Sequence, residues 1–253
     1  MTHEPAFLVP DWNAPKHVIA RVTTRAAGYS KPPFDSLNLA LHVGDRGLDV
    51  QANRRAVANA LGGELRWQWL DQVHGASVER IEAASAPRVA DALVTSVPGL
   101  VCCVLTADCL SVFFTDAEGR EVAVAHAGWR GLAAGILEST VRSLSAPPER
   151  VLAWIGPAIG PCHFEVGEEV RSAFLESADS LTESRLAACF KPGTASGKFN
   201  ADLFALARVK LSAMGVAAIG GGDTCTVCEA QSYYSYRRDQ TTGRHLSLIY
   251  LAP

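Results

Sequence analysis

One mixed domain of short β-strands and a few helices is predicted from three observations. Apolar runs of strand length, rich in Val, Leu, Cys and Phe, fill most of residues 101–125. Residues 200–214 place Leu203, Leu206, Ala207 and Val209 near one helical face, with Gly215 as a stop. No linker, repeat or low-complexity tract divides the 253 residues, of which 48% are hydrophobic, so one sizeable core over 1–253 is expected.

The elements follow from the N-terminus. Residues 1–15 read as an irregular lead-in and His17 to Thr24 as a strand. Gly28, Pro32 and Pro33 make the next stretch a loop, because they disfavour regular structure. Asp49 to Leu61 reads as a helix with Asp49 as N-cap and Gly62 past its end. Leu65 to Leu70 and Ser77 to Ala83 read as strands; Arg88 to Leu93 leads into the central stretch, with Asp91 as a turn residue. Residues 101–114 and 121–125 form a hairpin across the turn Thr115-Asp116-Ala117-Glu118-Gly119, and Leu132 to Leu144 is the helix behind it. Val151 to Ile155 is a strand, two Gly-Pro pairs stiffen the loop 156–167, and Glu168 to Leu175 is a helix. Residues 177–198 are weakly patterned loop with a short helix, and His245 to Leu251 is a closing strand.

Composition narrows the function. The net charge is −3 and no basic run occurs, so a nucleic-acid groove is not expected. The N-terminus lacks the basic flank and apolar core of a signal peptide, and no apolar run is long enough to cross a bilayer, so neither secretion nor membrane partners are expected. Seven cysteines without a secretory signal point to reduced thiols in the cytoplasm.

Chemistry concentrates where the first apolar run is broken by Thr106-Ala107-Asp108-Cys109 and the second ends in His126-Ala-Gly-Trp-Arg-Gly. An acid does not enter a buried strand without a partner or a task. His74, in Asp71-Gln72-Val73-His74-Gly75, also sits at a strand end. His74, Cys109 and His126 can make a metal site of three protein ligands with an open fourth position, as a catalytic zinc has. The same residues also suit a thiol hydrolase in which Cys109 attacks and a histidine is its base, so the pattern leaves both open. Copper is less easily built, since the chain has only Met1 and Met214 and no His-x-His pair. Cys225-x-x-Cys228 lacks a second ligand pair after it, and only His245 follows, so no zinc knuckle is expected there. Arginines 25, 46, 54 and 55 are ordinarily surface residues, but guanidinium matches phosphate oxygens, and Arg25 in its Gly/Pro-rich loop is the best placed of them.

The segments DQVHG (71–75), TADCL (106–110), HAGWRGL (126–132) and GPAIGPCHFEVG (156–167) resemble one family closely, as do TTRAAGYS (23–30), SLNLALHVGD (36–45), NRR (53–55), YSYRRD (234–239) and GR (243–244). This is the polyphenol oxidase or laccase-domain family, also known as the peptidoglycan editing factor or purine nucleoside phosphorylase family, and the chain resembles a bacterial member over nearly its whole length. The resemblance implies a single α+β domain of layered mixed β-sheets flanked by helices, with a cysteine-hydrolase-like fold. It implies zinc, with copper as the alternative, on His74, Cys109 and His126. It implies phosphorolysis of adenosine, inosine, guanosine and methylthioadenosine, and deamination of adenosine to inosine. Two other activities go with the family: a copper-dependent polyphenol oxidase, and an editing hydrolase of peptidoglycan precursors acting through Cys109.

Those activities assign roles to test. In deamination a water activated by the metal attacks the ring carbon bearing the amine, and Asp108, Glu165 or a further water moves the proton. His163-Phe-Glu165 matches the His-x-Glu of zinc deaminases, but Thr224 rather than Pro precedes Cys225, so the match is read as chance and Glu165 is kept only as a candidate. Phosphorolysis needs an anion pocket, for which Arg25, Arg54 and Arg130 are candidates, Arg130 because it opens a helix. Gln72 of the DQVHG motif joins them as a substrate-binding candidate. Trp129, Phe164 and Tyr236 are candidates to stack on the base.

Overall fold

Two large sheets lie face to face, because their strands alternate apolar side chains between two different cores. The computed structural model describes residues 4–176 and 180–253; residues 1–3 of the lead-in and 177–179 of the weakly patterned stretch lie outside the described residues. One sheet has five strands in the order Phe7–Leu8, Val18–Thr23, His245–Leu251, Leu100–Thr106 and Arg66–Gln68. The other has six, in the order Ala218–Gly221, Val151–Ile155, Leu110–Asp116, Val122–Ala127, Ala92–Thr95 and Val78–Arg80. Both mix parallel and antiparallel pairs.

The alternation is explicit. Cys102, Val104 and Ile249 of the first sheet meet Phe113, Val124 and Trp154 of the second in the central core. Cys103, Leu105, Leu246 and Leu248 point the other way, toward Val57 of the helix Gly47–Leu61. Val112, Phe114, Ala123 and Ala125 point outward from the second sheet to the helices Ile136–Ser143, Glu168–Leu175 and Leu203–Ala213. A strand buried on both faces reads as an unbroken apolar run, which is why residues 100–116 carry so few polar groups. The result is a mixed α/β architecture with several mixed sheets and few helices. Among the described residues, no helix is long and apolar enough to cross a membrane.

Several expectations are refined. The apolar run expected over 101–114 is two strands, not one: Leu100–Thr106 belongs to the five-stranded sheet and Leu110–Asp116 to the six-stranded sheet. The hairpin is therefore Leu110–Asp116 with Val122–Ala127, paired antiparallel from Val122↔Thr115 to Ala127↔Leu110. The helix expected over 132–144 is split into Trp129–Ala133 and Ile136–Ser143 by Gly135, whose φ of 93° is left-handed. Asp49 lies in the first turn of its helix, and the N-cap is Arg46. Part of the weakly patterned stretch is ordered: Phe190–Pro192 and Lys198–Ala201 form a three-stranded sheet with Glu165–Gly167.

His245 opens the closing strand and is fully buried, with Nε2 2.9 Å from the hydroxyl of Thr106 and no partner on Nδ1 among the described residues. Burial, and then the charge of Arg244, push its pKa down from 6.5 to about 3. Between those values the unfolded chain holds a proton that the folded chain lacks, so stability is full above the unfolded pKa and falls as pH drops toward the folded one. His245→Gln should remove this loss. Denaturant melts should show the wild type losing about 2 kcal/mol more than the variant between about pH 7 and about pH 5; parallel pH profiles would refute it.

Candidate metal centre and the cavity it opens into

The break Thr106-Ala107-Asp108-Cys109 carries the chain from one sheet to the other. It turns sharply at Asp108, whose φ of 89° is left-handed. The carboxylate pins that turn: Oδ1 accepts from the Thr226 hydroxyl and Oδ2 from the backbone N–H of Arg237, both at 2.6 Å. Its carbonyl accepts from Ile159 N–H at 2.9 Å. Cys109 is thereby set at the start of the next strand, beside the end of the neighbouring strand where His126 lies.

His74 comes from the DQVHG turn, with a φ of 59°. Asp91 holds both residues, His74 by its backbone N–H and His126 by its imidazole. Fully buried, it accepts from the backbone N–H of Val73, His74 and Gly75 at 3.3, 3.0 and 2.7 Å, and its Oδ1 lies 2.8 Å from His126 Nδ1. Burial pushes its carboxyl up, but the hydrogen bonds from His126 and those backbone groups outweigh burial and hold it below the usual range. With Nδ1 taken, His126 has Nε2 left for the cluster. A carboxylate behind a ligating histidine is the usual outer support of a metal site.

Ligand atoms of His74, Cys109 and His126 all lie within 4.8 Å of one another, with Cys109 Sγ 3.9 Å from His74 Nε2. The corresponding edge of a tetrahedron around zinc is about 3.6 Å from ordinary Zn–S and Zn–N lengths. The donor set and spacing therefore fit a metal with one further position open. Gly128 permits the approach, since a β-carbon there would come 2.8 Å from His74 Cδ2 and 3.0 Å from Cys109 Sγ. Burial pushes the Cys109 thiol up, yet hydrogen bonds from His126 and His74 bring it down to about 6. Burial pushes His126 down, yet Asp91 and Cys109 raise it to about 9.

The cluster opens into a cavity of about 530 Å³ also lined by His42, Gln72, Thr106, Tyr236 and Arg244. Half-buried Arg244 donates through Nη1 to the carbonyls of Thr242 and Gly243, and no carboxylate pairs with it among the described residues. Burial, then the charges of Arg244 and Arg54, hold His42 below the ordinary histidine value. Tyr236 is half exposed at this cavity. Gln72 uses its amide on the backbone, donating to Leu105 O and accepting from Leu105 N–H, so it ties the His74 turn to the strand end before Cys109.

The other candidates lie elsewhere. Arg25 faces a separate hollow, paired with Asp35 at 3.6 Å and stacked over Tyr234. Arg54 donates to Leu39 O and lies 3.7 Å over the Trp69 ring. Arg130 is exposed, over Trp129. Glu165 accepts from the N–H and hydroxyl of Thr194 in the three-stranded sheet, outside the cavity lining. Asp108 also lies outside that lining, held by Thr226 and Arg237. Of the stacking candidates, Phe164 is core and Tyr236 lines the cavity. Missed by sequence reasoning were His42, Arg244 and the supporting Asp91. The signal for the first two was present, since both fall inside segments that carried the resemblance.

A family model described as multi-copper polyphenol oxidoreductase laccase matches residues 19–252. The chain is 50% identical over 246 residues to a purine nucleoside phosphorylase of Pseudomonas aeruginosa, covering 97% of this chain and 98% of that protein. It is 48% identical to the purine nucleoside phosphorylase YfiH of Escherichia coli strain K12, with the same coverage. A Neisseria meningitidis crystal structure superposes with a TM-score of 0.91 at 44% identity, over 98% of this chain and 99% of that one. YlmD from Geobacillus stearothermophilus superposes with a TM-score of 0.87 at 35% identity, over 94% and 93%.

Proposed function

The chain belongs to the multi-copper polyphenol oxidoreductase laccase family, and from that premise we propose that it is a zinc-dependent purine nucleoside phosphorylase that also deaminates adenosine. One observation carries this reading: three ligand atoms within 4.8 Å of one another face the same cavity as an arginine that has no carboxylate partner among the described residues. The names of the relatives from Pseudomonas aeruginosa and Escherichia coli support the substrate class.

His74, Cys109 and His126 would hold the zinc, which would supply a Lewis acid able to activate water. Arg244 presents its guanidinium to phosphate, whose attack on the ribose carbon breaks the bond to the purine. Tyr236 offers a ring face for the base. His42 lines the cavity with its pKa held below the ordinary histidine value, and it takes a proton from the attacking phosphate or water and returns it to the leaving group. Asp108, engaged by Thr226 and Arg237, positions Cys109. Purine nucleosides and phosphate are the small-molecule partners of this site.

A second reading has its own observation. Cys109, at about 6, is a thiolate at neutral pH beside His74, as a nucleophile would be in a hydrolase editing peptidoglycan precursors. Copper would use the same three ligands, but no methionine lines the cavity among the described residues to serve as an axial thioether.

The test is nucleoside cleavage with and without phosphate. Ribose 1-phosphate should form from inosine or adenosine only when phosphate is present. Arg244→Ala should raise KM for phosphate about tenfold or more, the loss of one charge-assisted contact of about 1.5–3 kcal/mol, with a smaller change in KM for inosine. Cleavage at the same rate without phosphate would overturn phosphorolysis in favour of hydrolysis of the nucleoside, and an unchanged phosphate KM would remove Arg244 from the anion site.

A further inference from the structure

The sequence offers no second ligand pair after Cys225-x-x-Cys228, but the fold brings one from upstream. Strands Val151–Ile155 and Ala218–Gly221 are parallel neighbours, so the loops after them leave the sheet side by side. The first carries Cys162-His163 and the second Cys225 and Cys228. An isolated bridge joins Ala158 to Cys225, with Ala158 N–H donating to Thr224 O at 3.1 Å and Thr226 N–H to Ala158 O at 2.9 Å. Ligand atoms of Cys162, His163, Cys225 and Cys228 lie within 4.8 Å of one another. We propose that these four residues form a second, structural zinc site that staples the two loops together.

Three features of the geometry carry this. The Cys162 and Cys228 sulfurs are 3.8 Å apart, and the sulfur–sulfur edge of a zinc tetrahedron is about 3.8 Å. The Cys225 sulfur accepts the backbone N–H of Gly160 at 3.2 Å, a contact from the first loop to the second. Gly160 leaves room for the approach, since a β-carbon there would come 3.1 Å from Cys225 Cβ. Three sulfurs and an imidazole select a soft or borderline ion over magnesium or calcium. Four protein ligands close the coordination sphere, which marks a structural rather than a catalytic zinc.

The site shares no ligand with the His74 cluster, yet it stands directly behind it. Thr226, between the two cysteines, donates to Asp108 Oδ1. Arg237 donates its N–H to Asp108 Oδ2 and its Nη1 to His163 O at 3.1 Å. A staple here therefore holds the segment that pins the turn before Cys109 and that carries Tyr236 into the cavity.

The experiment is zinc content by elemental mass spectrometry on the full chain, purified from zinc-supplemented growth, as wild type, Cys109→Ala, Cys162→Ser and Cys228→Ser. Under this proposal Cys109→Ala keeps about one zinc per chain, and Cys162→Ser and Cys228→Ser each hold about one fewer than wild type. If wild type holds only one, kept in Cys109→Ala and lost in Cys228→Ser, the staple stands and the metal reading of the cavity falls. If Cys109→Ala holds none, the staple is overturned. A second readout avoids variants in the staple itself: cobalt(II) loaded into Cys109→Ala should give tetrahedral ligand-field bands with intense thiolate charge transfer, and their absence overturns the proposal. So does a Cys162–Cys228 disulfide, seen by alkylation under denaturing conditions as two protected thiols out of seven.

Discussion

Cys109→Ala should lose the metal of the cavity and at least about a thousandfold in kcat for nucleoside cleavage, roughly 4 kcal/mol of barrier. The sulfur is the one anionic donor of the cluster, and it sits between two imidazoles. Its removal leaves two neutral ligands, too few to close a three-ligand site with an open position. Folding should suffer little, because the side chain is small and half-buried. Cys109→Ser sharpens the test, since a hydroxyl keeps the size but is a poor zinc ligand near neutral pH. Near-normal zinc and turnover in both variants would sink the metal reading and the thiol-hydrolase reading together. Zinc retained by Cys109→Ser with activity abolished would shift the weight to the nucleophile.

Asp91→Ala should be the most damaging change to the support of the site. One fully buried carboxylate accepts three backbone N–H groups of the His74 turn and faces His126 Nδ1. Without it, those N–H groups lose their acceptor and His74 loses the contact that holds its left-handed turn. Breaking a buried charged pair costs about 3–5 kcal/mol, and loss of an outer partner weakens metal binding about 10–100-fold. Thermal melts should fall by roughly 10 °C, and zinc affinity measured by competition with a chelator should drop in that range. Asp91→Asn should lose less stability, because the amide keeps one acceptor oxygen, yet should bind zinc almost as weakly because the charge is gone. Wild-type melting and zinc affinity in Asp91→Ala would mean that the histidines are positioned by something else.

Much of the site was legible because it lies at the edges of patterned runs. His74, Cys109 and His126 each follow or end an apolar stretch, and the structure brings their ligand atoms together. Their motifs also identified the family, which the match over residues 19–252 bears out. The anion side was less legible. Local context points to Arg25 through its Gly/Pro loop and to Arg130 through its helix start, and Arg54 stands in the NRR segment. Their guanidiniums instead pack on Tyr234, Trp69 and Trp129, while Arg244 reaches the cavity from the other end of the chain. Asp91 looked like a turn residue because nothing in its neighbours announces a partner 35 residues away.

By itself, the sequence determined which central runs are buried, where the long helices and several of the strands lie, and which three residues are candidates to offer metal-ligand atoms. Those features are set by side-chain chemistry and spacing over a few residues, where burial leaves a direct periodic trace. Only the tertiary structure decided that residues 101–116 divide between two sheets, that Asp91 binds two histidines at once, that Arg244 and His42 share a cavity with Cys109, and that Cys162-His163 meets Cys225 and Cys228. Each depends on which strand edges pair and in what register. Register is a property of the packed sheets, because the same apolar alternation is compatible with many partners until the cores on both faces choose one.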